Sequence, residues 1–200
     1  MMEKRDFLRH AGALGALGLG GMAASAPALA ATSAKAPQLL HITGAIGRSN
    51  RGAFDAGRDI LFGKQKINFE RALSLDFTAL AKLPQQTIRP TLEYDSKVHS
   101  LQGPLLTDVL ALAGVKADAA LQVQMRAIDG YVVNSSLQQV KERKQIVALM
   151  MDGQAMSLGG LGPLWAVYDA DRVPEFSSRP VNERFIFCPW GLYHINLLAQ

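Results

Sequence analysis

The single cysteine of this chain, Cys188, is the feature that most restricts what it can fold into. One thiol cannot close an internal disulfide, and zinc or iron–sulfur sites built from cysteine need several thiolates. An apolar core must therefore hold the fold together, and any metal or redox chemistry must use Cys188 or other groups. A chain of 200 residues is long enough to bury such a core as one domain.

The first 30 residues have the pattern of an export signal. Lys4, Arg5 and Arg9 form a basic start, residues 11–22 are uncharged, and residues 28–30 (Ala-Leu-Ala) offer a signal-peptidase site. The uncharged stretch is only weakly apolar, so no membrane insertion is expected after cleavage. The basic start resembles a twin-arginine (Tat) signal with Lys in place of the first Arg, and an ordinary Sec signal is the alternative. The sequence therefore predicts a soluble protein of the periplasm.

Residues 31–38 are predicted to be a flexible leader, and residues 39–200 to form a single domain. Cleavage after Ala30 removes three basic and two acidic residues, so the net charge falls from +4 to +3. The densest basic cluster, Lys141, Arg143 and Lys144, surrounds Glu142 and is typical of a solvated helix face. Nucleic-acid binding needs a larger patch of one sign, so no nucleic-acid partner is expected.

Short strands and small helices alternate along the predicted domain. Strands are predicted at residues 39–43, 66–71, 87–92, 98–101, 121–127, 131–133, 146–151, 154–156, 164–168, 185–187 and 192–198. Helices are predicted from the N-cap Asp76 to Pro84, from Pro104 to Gly114, and from Ser135 or Ser136 to Lys144, with long loops at 44–63 and 169–182. Asp152-Gly153 predicts a type I′ hairpin turn. Many short strands with few helices indicate a mixed, sheet-rich α+β domain.

Common catalytic and metal-binding motifs are missing from the sequence. The three histidines beyond the signal, His41, His99 and His194, are not paired at metal-ligand spacing, and neither HExxH nor G-x-S-x-G occurs. Residues 159–162 are rich in glycine but lack the Lys-Ser/Thr ending of a P-loop. The neighbouring carboxylates Glu93 and Asp95 are interpreted as solvated turn residues. The sequence therefore predicts no catalytic residue and no metal ligand.

Several segments nevertheless follow one another in a recognisable order. They are residues 39–44, FTALAKLPQ at 77–85, GPLLTDVLALAG at 103–114, residues 127–133, MDGQAM at 151–156, GPLW at 162–165 and WGL at 190–192. As an ordered set they resemble the molybdopterin-binding domain of the sulfite-oxidase fold. The likeness is greatest to the small, exported, single-domain members of that superfamily, and it spans nearly all of the predicted domain.

Catalytic members of this superfamily bind molybdenum through a cysteine just after the strand that follows the Leu-Pro dipeptide. The corresponding segment here, Pro90–Glu93, contains no thiol, and neither Thr91 nor Glu93 can replace a soft thiolate. Cys188 lies in a different element and is typical of a packed core residue. The resemblance is therefore to the small relatives without that cysteine. These relatives look like pterin-binding proteins, which implies that this chain binds a pterin. Some of these look like ligand sensors beside membrane enzymes of cyclic-di-GMP turnover.

A pterin is a flat aromatic ring with a donor–acceptor edge, so its site needs stacking rings and a carboxylate or amide. Position along the superfamily pattern implies four aromatic contacts, namely Tyr94, Tyr131, Trp165 and Trp190. Asp129 lies where relatives read Asn and is expected to accept hydrogen bonds from the amino-pyrimidine edge. Arg126 or Arg184 is expected to orient a polar group or phosphate of the ligand.

These residues together predict a non-catalytic periplasmic protein that binds free pterin and reports its presence to a membrane signalling partner, such as a cyclic-di-GMP enzyme. The alternative is a molybdopterin-dependent oxidoreductase whose metal is held by Cys188 or by a non-protein ligand. A further alternative is an accessory subunit of a redox complex that uses the fold as a scaffold.

Overall fold

A computed structural model describes residues 36–199 of the chain. The predicted signal peptide and most of the predicted leader lie outside these residues. The strands are β1 (Gln38–Gly44), β2 (Leu73–Asp76), β3 (Gln85–Ile88), β4 (Leu101–Pro104), β5 (Leu121–Ala127), β6 (Val132–Ser136), β7 (Ile146–Ala148), β8 (Met150–Met151), β9 (Gln154–Ala155), β10 (Trp165–Val167) and β11 (Leu192–Ala199).

The helices are short. They are α1 (Ile60–Lys64), α2 (Phe77–Ala81), α3 (Leu106–Leu112), α4 (Leu137–Glu142) and α5 (Pro174–Ser177), with a 3₁₀ turn at Val181–Glu183. No helix within residues 36–199 has both the length and the apolar character needed to cross a membrane. The predicted mixed, sheet-rich α+β class is confirmed.

The largest sheet has the strand order β2-β1-β11-β5-β6. β1 and β11 run parallel, with His41 opposite His194, and the other neighbours are antiparallel. β5 has the predicted alternation of buried and less buried residues. Val123 and Met125 are fully buried, and the residues next to them in the strand are half-buried. That buried face packs on the apolar sides of α3 and α4, which builds the main core.

Two smaller sheets, β3-β4-β8-β9 and β7-β10, complete the structure. β4 and β7 approach so closely that a Cβ atom added to Gly103 would lie 1.9 Å from the carbonyl oxygen of Val147. Only glycine fits at that position. β7 and β10 are buried along their whole length, so the two-stranded sheet lies in the interior of the protein.

A second core lies beneath the segment that leads into β11. Trp165, Tyr168, Phe176, Phe185 and Cys188 are buried together there. The rings of Tyr168 and Phe176 stack with centroids 4.9 Å apart. Cys188 is 3% exposed, so the interpretation of this cysteine as a packed core residue is confirmed.

The local capping and turn signals of the sequence are confirmed. The side chain of Asp76 accepts a hydrogen bond of 2.7 Å from the backbone N–H of Ala79 at the start of α2. Ser136 and Gln139 form a capping box at the start of α4. Asp152 and Gly153 both have positive φ, as a type I′ turn requires.

Three predicted elements are wrong. Residues 66–71 are not a strand, because Lys66 has a φ of 56° and the residues that pair with β1 begin at Leu73. Pro104 does not open a helix but ends β4, and α3 begins only at Leu106. Residues 185–187 form a turn, in which the N–H of Cys188 donates to the carbonyl oxygen of Phe185 at 2.9 Å.

Other boundaries shift by a few residues. β3 and β4 lie at 85–88 and 101–104 instead of 87–92 and 98–101, since their register is set by pairing with each other and with β8. The two predicted long loops each contain short helical segments, α1 in the first and α5 with the 3₁₀ turn in the second.

Candidate ligand-binding site

Four of the seven predicted site residues meet in one cavity of about 320 Å³, the first cavity. Its described lining consists of Glu93, Tyr94, Ala127, Asp129, Tyr131, Asn182, Phe185, Ile186, Cys188 and Trp190. These residues come from three places along the chain: the β3–β4 connection, the β5–β6 turn and the segment before β11. The cavity is therefore a product of the tertiary fold and not of one local motif.

The β5–β6 turn presents Asp129 and Tyr131 to the first cavity. Gly130, between them, has a φ of 94°, a conformation that favours glycine. One carboxylate oxygen of Asp129 accepts a hydrogen bond of 2.8 Å from the N–H of Tyr131, and the N–H of Ala127 donates to the carbonyl oxygen of Tyr131 at 2.9 Å. Asp129 thus shapes the turn with one oxygen while lining the cavity.

A tight loop in the β3–β4 connection holds Tyr94. The N–H of Leu92 donates to the carbonyl oxygen of Lys97 at 2.9 Å, and the N–H of Ser96 donates to the carbonyl oxygen of Leu92 at 3.0 Å. Ser96 adopts a positive φ of 58° at the tip. Tyr94 is 57% exposed, so its ring is available to a ligand.

Trp190 stands immediately before β11 and is 38% exposed. Hydrogen bonds fix the backbone on either side of it. The N–H of Ala166 donates to the carbonyl oxygen of Pro189 at 3.2 Å, and the N–H of Gly191 donates to the carbonyl oxygen of Leu161 at 3.1 Å. An exposed indole on an anchored backbone is suited to stacking against a flat ring.

The first cavity carries negative charge. Glu93 and Asp129 contribute carboxylates, and no Lys or Arg is found among its described lining residues. Burial and the neighbouring Glu93 carboxylate raise the pKa of Tyr94 to about 12, and burial raises the pKa of Tyr131 as well. Both phenols therefore keep their protons at neutral pH. The site offers carboxylate acceptors, hydroxyl groups and aromatic faces.

Cys188 contributes to the lining as a neutral thiol. Burial raises its pKa to about 12, so the free thiol keeps its proton at neutral pH. The residues described contain no cluster of three or more His, Cys, Asp or Glu side chains arranged to hold a metal ion.

Thr91, near which the resemblance would place a metal-binding cysteine, has a structural role. The N–H and the hydroxyl of Thr91 both donate to one oxygen of Asp171 at 2.8 Å. The other oxygen of Asp171 accepts from the guanidinium of Arg184 at 2.7 Å, and Arg184 also donates to the carbonyl oxygen of Arg179. Arg184 is thus engaged in holding the segment around Thr91 and does not line the first cavity.

Two further predicted residues lie outside the first cavity. Trp165 is 1% exposed, and its indole N–H donates to the carbonyl oxygen of Cys188 at 2.9 Å, so it supports the cavity wall from beneath. Arg126 lies opposite His194 in the main sheet and donates weakly to Gln124 at 3.4 Å. Ligand contact by Trp165, Arg126 or Arg184 stays a prediction.

Some cavity residues were not singled out from the sequence. Glu93, which the sequence predicts to be a solvated turn residue, lines the cavity, and its position in the segment without the cysteine is the signal that points to it. Asn182 and Ile186 carried no signal, because the first lies in a segment predicted as loop and the second in a segment predicted as strand.

Next to the first cavity, His99 joins two loops. Its Nδ1 lies 2.6 Å from a carboxylate oxygen of Asp152 and its Nε2 lies 3.0 Å from one of Asp95. These hydrogen bonds, led by the one to Asp152, raise the pKa of His99. The Tyr94 loop is thereby fastened to the β8–β9 hairpin turn.

Comparisons with known proteins bear on the fold. No family model matches the chain, and no curated protein matches it. Among solved structures, the chain is similar to the sulfane dehydrogenase SoxCD from Paracoccus pantotrophus, with a TM-score of 0.51 and 14% sequence identity. The match covers 82% of this chain and 38% of that chain, so this chain spans well under half of the other's length. At this identity the similarity shows a shared fold alone.

Proposed function

We propose that this chain is a non-catalytic periplasmic protein that binds a free pterin and acts as a ligand sensor for a membrane signalling partner. The observation that carries the proposal is the meeting of Tyr94, Asp129, Tyr131 and Trp190 in the first cavity. These residues are spread over the chain, and the pterin-binding resemblance selected each of them for ligand contact. The fold shared with SoxCD is compatible with that resemblance.

The chemistry of the first cavity suits a neutral, donor-rich heterocycle. A pterin presents an amino group and a ring N–H along one edge, and the carboxylates of Glu93 and Asp129 can accept from both. Trp190 and Tyr94 supply aromatic faces for the ring. A cavity of about 320 Å³ lies at the lower end of the range for small-molecule sites, which matches a bicyclic ring.

Molybdopterin, which the sulfite-oxidase resemblance implies for catalytic relatives, does not fit these residues. The side chain of Cys188 is only 3% exposed and packs in the second core, so a metal in the first cavity would have little access to its sulfur. The phosphate of molybdopterin needs cationic partners, and the described lining of the first cavity contains two carboxylates and no Lys or Arg. We therefore propose the free pterin and no metal.

Export and the signalling partner belong to the same proposal. The pattern of residues 1–30 supports secretion to the periplasm by the Tat or the Sec route, and the superfamily resemblance supports a partner with a periplasmic domain. A neighbouring gene for a transmembrane cyclic-di-GMP enzyme would support this partner. With such a domain in hand, pull-down with and without pterin tests it, and we expect binding to depend on the ligand.

The proposal is tested by identifying what the protein carries. The full chain is expressed with its own signal, recovered from the periplasm, and denatured for mass spectrometry and metal analysis. We expect a released pterin and no stoichiometric molybdenum. Stoichiometric molybdenum would overturn the proposal, as would a folded, ligand-free protein that binds no pterin at high micromolar concentration.

A molybdopterin-dependent oxidoreductase, or an accessory redox subunit, is the second candidate. It is favoured by the fold shared with SoxCD and by the presence of Cys188 in the cavity lining. The variant Cys188→Ser separates the two candidates. If Cys188 holds the metal of an oxidoreductase, bound molybdenum is present in wild type and lost in Cys188→Ser. Under the first candidate the wild-type protein holds none, and pterin binding persists in the variant.

A further inference from the structure

A second cavity, also of about 320 Å³, adjoins the first. Tyr94 and Trp190 line both cavities. Both side chains are substantially exposed, so they form an aromatic boundary that a ligand can contact from either cavity. A ring stacked on this boundary in the first cavity has the second cavity beside it.

The second cavity differs from the first in chemistry. Apart from the shared aromatic residues, its walls are formed mainly by Leu92, Met151 and Leu161 together with the backbone of Gly159 and Gly160. Leu92 is buried and belongs to the second core, and Met151 and Leu161 pack against that core. The wall is thus firm and apolar, which is suited to an apolar or aromatic group.

The polar rim of the second cavity disfavours anions. Asp95 and His99 lie on it, and His99 is already bound between the carboxylates of Asp95 and Asp152. Because His99 lies between two carboxylates, the rim has no excess of positive charge in either protonation state of this histidine. The described lining of the second cavity contains the carboxylate of Asp95 and no Lys or Arg that could pair with a carboxylate or phosphate of a ligand.

We propose that the second cavity is a subsite for an uncharged apolar or aryl substituent of the ring ligand that occupies the first cavity. This inference rests on the proposed function and names the ligand class more closely. The first cavity holds the donor-rich ring, the boundary of Tyr94 and Trp190 stacks on it, and the second cavity holds the substituent. Ligands with an acidic substituent are selected against in both cavities.

The experiment compares three probes by titration calorimetry with the ligand-free full-length mature protein: pterin, 6-phenylpterin and pterin-6-carboxylate. Burial of a phenyl group is expected to strengthen binding about tenfold or more over pterin. Pterin-6-carboxylate is expected to bind more weakly than pterin. Equal or weaker binding of 6-phenylpterin would overturn the proposal, as would preferred binding of the carboxylate.

A variant that fills the second cavity locates the effect. A Cβ at Gly160 would meet only ordinary contacts, 3.6 Å from Ser157, so a side chain can begin at this lining position, and Gly160→Phe is designed to fill the cavity from there. We expect the preference for 6-phenylpterin over pterin to fall to about one in Gly160→Phe. The matched control is Gly52→Phe, whose Cβ meets open space on a different loop, and it should keep the preference.

A second variant tests the subsite even if Gly160→Phe does not fold. Leu161→Ala removes apolar wall and should also reduce the preference for 6-phenylpterin. An unchanged preference in both variants would overturn the subsite. The experiment distinguishes the subsite from the proposed function. If only the subsite is wrong, pterin itself still binds. If the proposed function is wrong, none of the three probes binds.

Discussion

The phenol of Tyr131 donates a hydrogen bond of 2.7 Å to the carbonyl oxygen of Ile186, a residue 55 positions further along the chain. The bond joins the β5–β6 turn to the segment that precedes β11, and these two elements form facing parts of the first cavity. Tyr131 thus has two roles, since its hydroxyl fixes the wall while its ring, 48% exposed, lines the site.

Removal of that hydroxyl should loosen the cavity wall. We expect Tyr131→Phe to lower the free energy of unfolding by about 1 kcal/mol, the usual contribution of one hydrogen bond, and to weaken pterin binding. Urea unfolding followed by fluorescence measures the first effect and calorimetry the second. In the control Tyr94→Phe, the lost hydroxyl makes no described hydrogen bond to the backbone, so stability should change less. A Tyr131→Phe protein as stable as wild type would show that the bond is not formed in solution.

The two tryptophans are expected to respond in opposite ways. Trp165→Phe removes buried ring volume and leaves the carbonyl oxygen of Cys188 without its donor, so the free energy of unfolding should fall by about 2 to 4 kcal/mol. Trp190→Phe, at an exposed position, should cost less than about 1 kcal/mol but should weaken ligand stacking. Urea unfolding and pterin titration of both variants distinguish these roles. Equal stabilities, or a larger stability loss in Trp190→Phe, would contradict the assignment.

The sequence was most informative where structure depends on neighbouring residues. Asp76, Ser136 and the Asp152-Gly153 pair set caps and a turn through their own side chains or backbone, so each feature was predictable. β4 was not, because Gly103 and Pro104 belong to a strand through their pairing with β3, which local residue patterns do not reveal. Strand registers are long-range properties of this kind.

The candidate site, too, combines features that the sequence predicts with features that depend on the fold. Resemblance to the superfamily predicted Tyr94, Asp129, Tyr131 and Trp190, and the fold brings all four to one cavity. It could not reveal that the Trp165 indole points into the core, since a strand residue has two faces and the pattern does not say which is buried. Nor could charge alone show that Arg184 is held by Asp171, because that pairing depends on the fold of the 169–184 segment.

The hydrogen bonds of His99 predict a loss of stability in alkaline solution. Because the pKa of His99 is raised above 6.5 in the folded protein, its contribution is complete below 6.5 and is lost as pH rises through the raised value. The same bonds lower the pKa of Asp95 and Asp152, whose contribution is lost only as pH falls through their lowered values. We expect the urea midpoint to decline from pH 6 to pH 9 in wild type.

His99→Gln is the matched variant for this effect. It removes the titrating group, so its urea midpoint should change less over the same pH range. A wild-type profile parallel to that of His99→Gln would show that His99 does not link the two loops. The charges of Lys97 and Arg89 also lower the pKa of Asp95 and Asp152, respectively. Both residues are present in wild type and in His99→Gln, so their effect cancels when the two pH profiles are compared.

The buried histidines predict the opposite behaviour in acid. Burial lowers the pKa of His41 to about 4 and of His194 to about 3, so both stay neutral in the folded protein. Below pH 6.5 the unfolded chain binds protons that the folded protein cannot, and stability falls. Each histidine should change the unfolding equilibrium constant about tenfold per pH unit down to its lowered pKa.

Proton NMR of the imidazole rings checks the assignment directly. The resonances of His41 and His194 should not shift between pH 8 and pH 5, whereas that of His99 should titrate above pH 6.5. A midpoint near 6.5 for His194 would show that this side chain is hydrated and not buried between the strands.

The central claim is that the first cavity binds a free, metal-free pterin ring through its carboxylates, and titration of pterin into the ligand-free mature protein tests it most directly. We expect saturable one-to-one binding that weakens about tenfold or more in Glu93→Gln, where a charged acceptor is lost. Binding should stay unchanged in the control Glu70→Gln, which lies at an exposed position outside the described cavity lining. No binding at high micromolar pterin by the folded protein, or equal binding by Glu93→Gln and wild type, would contradict it.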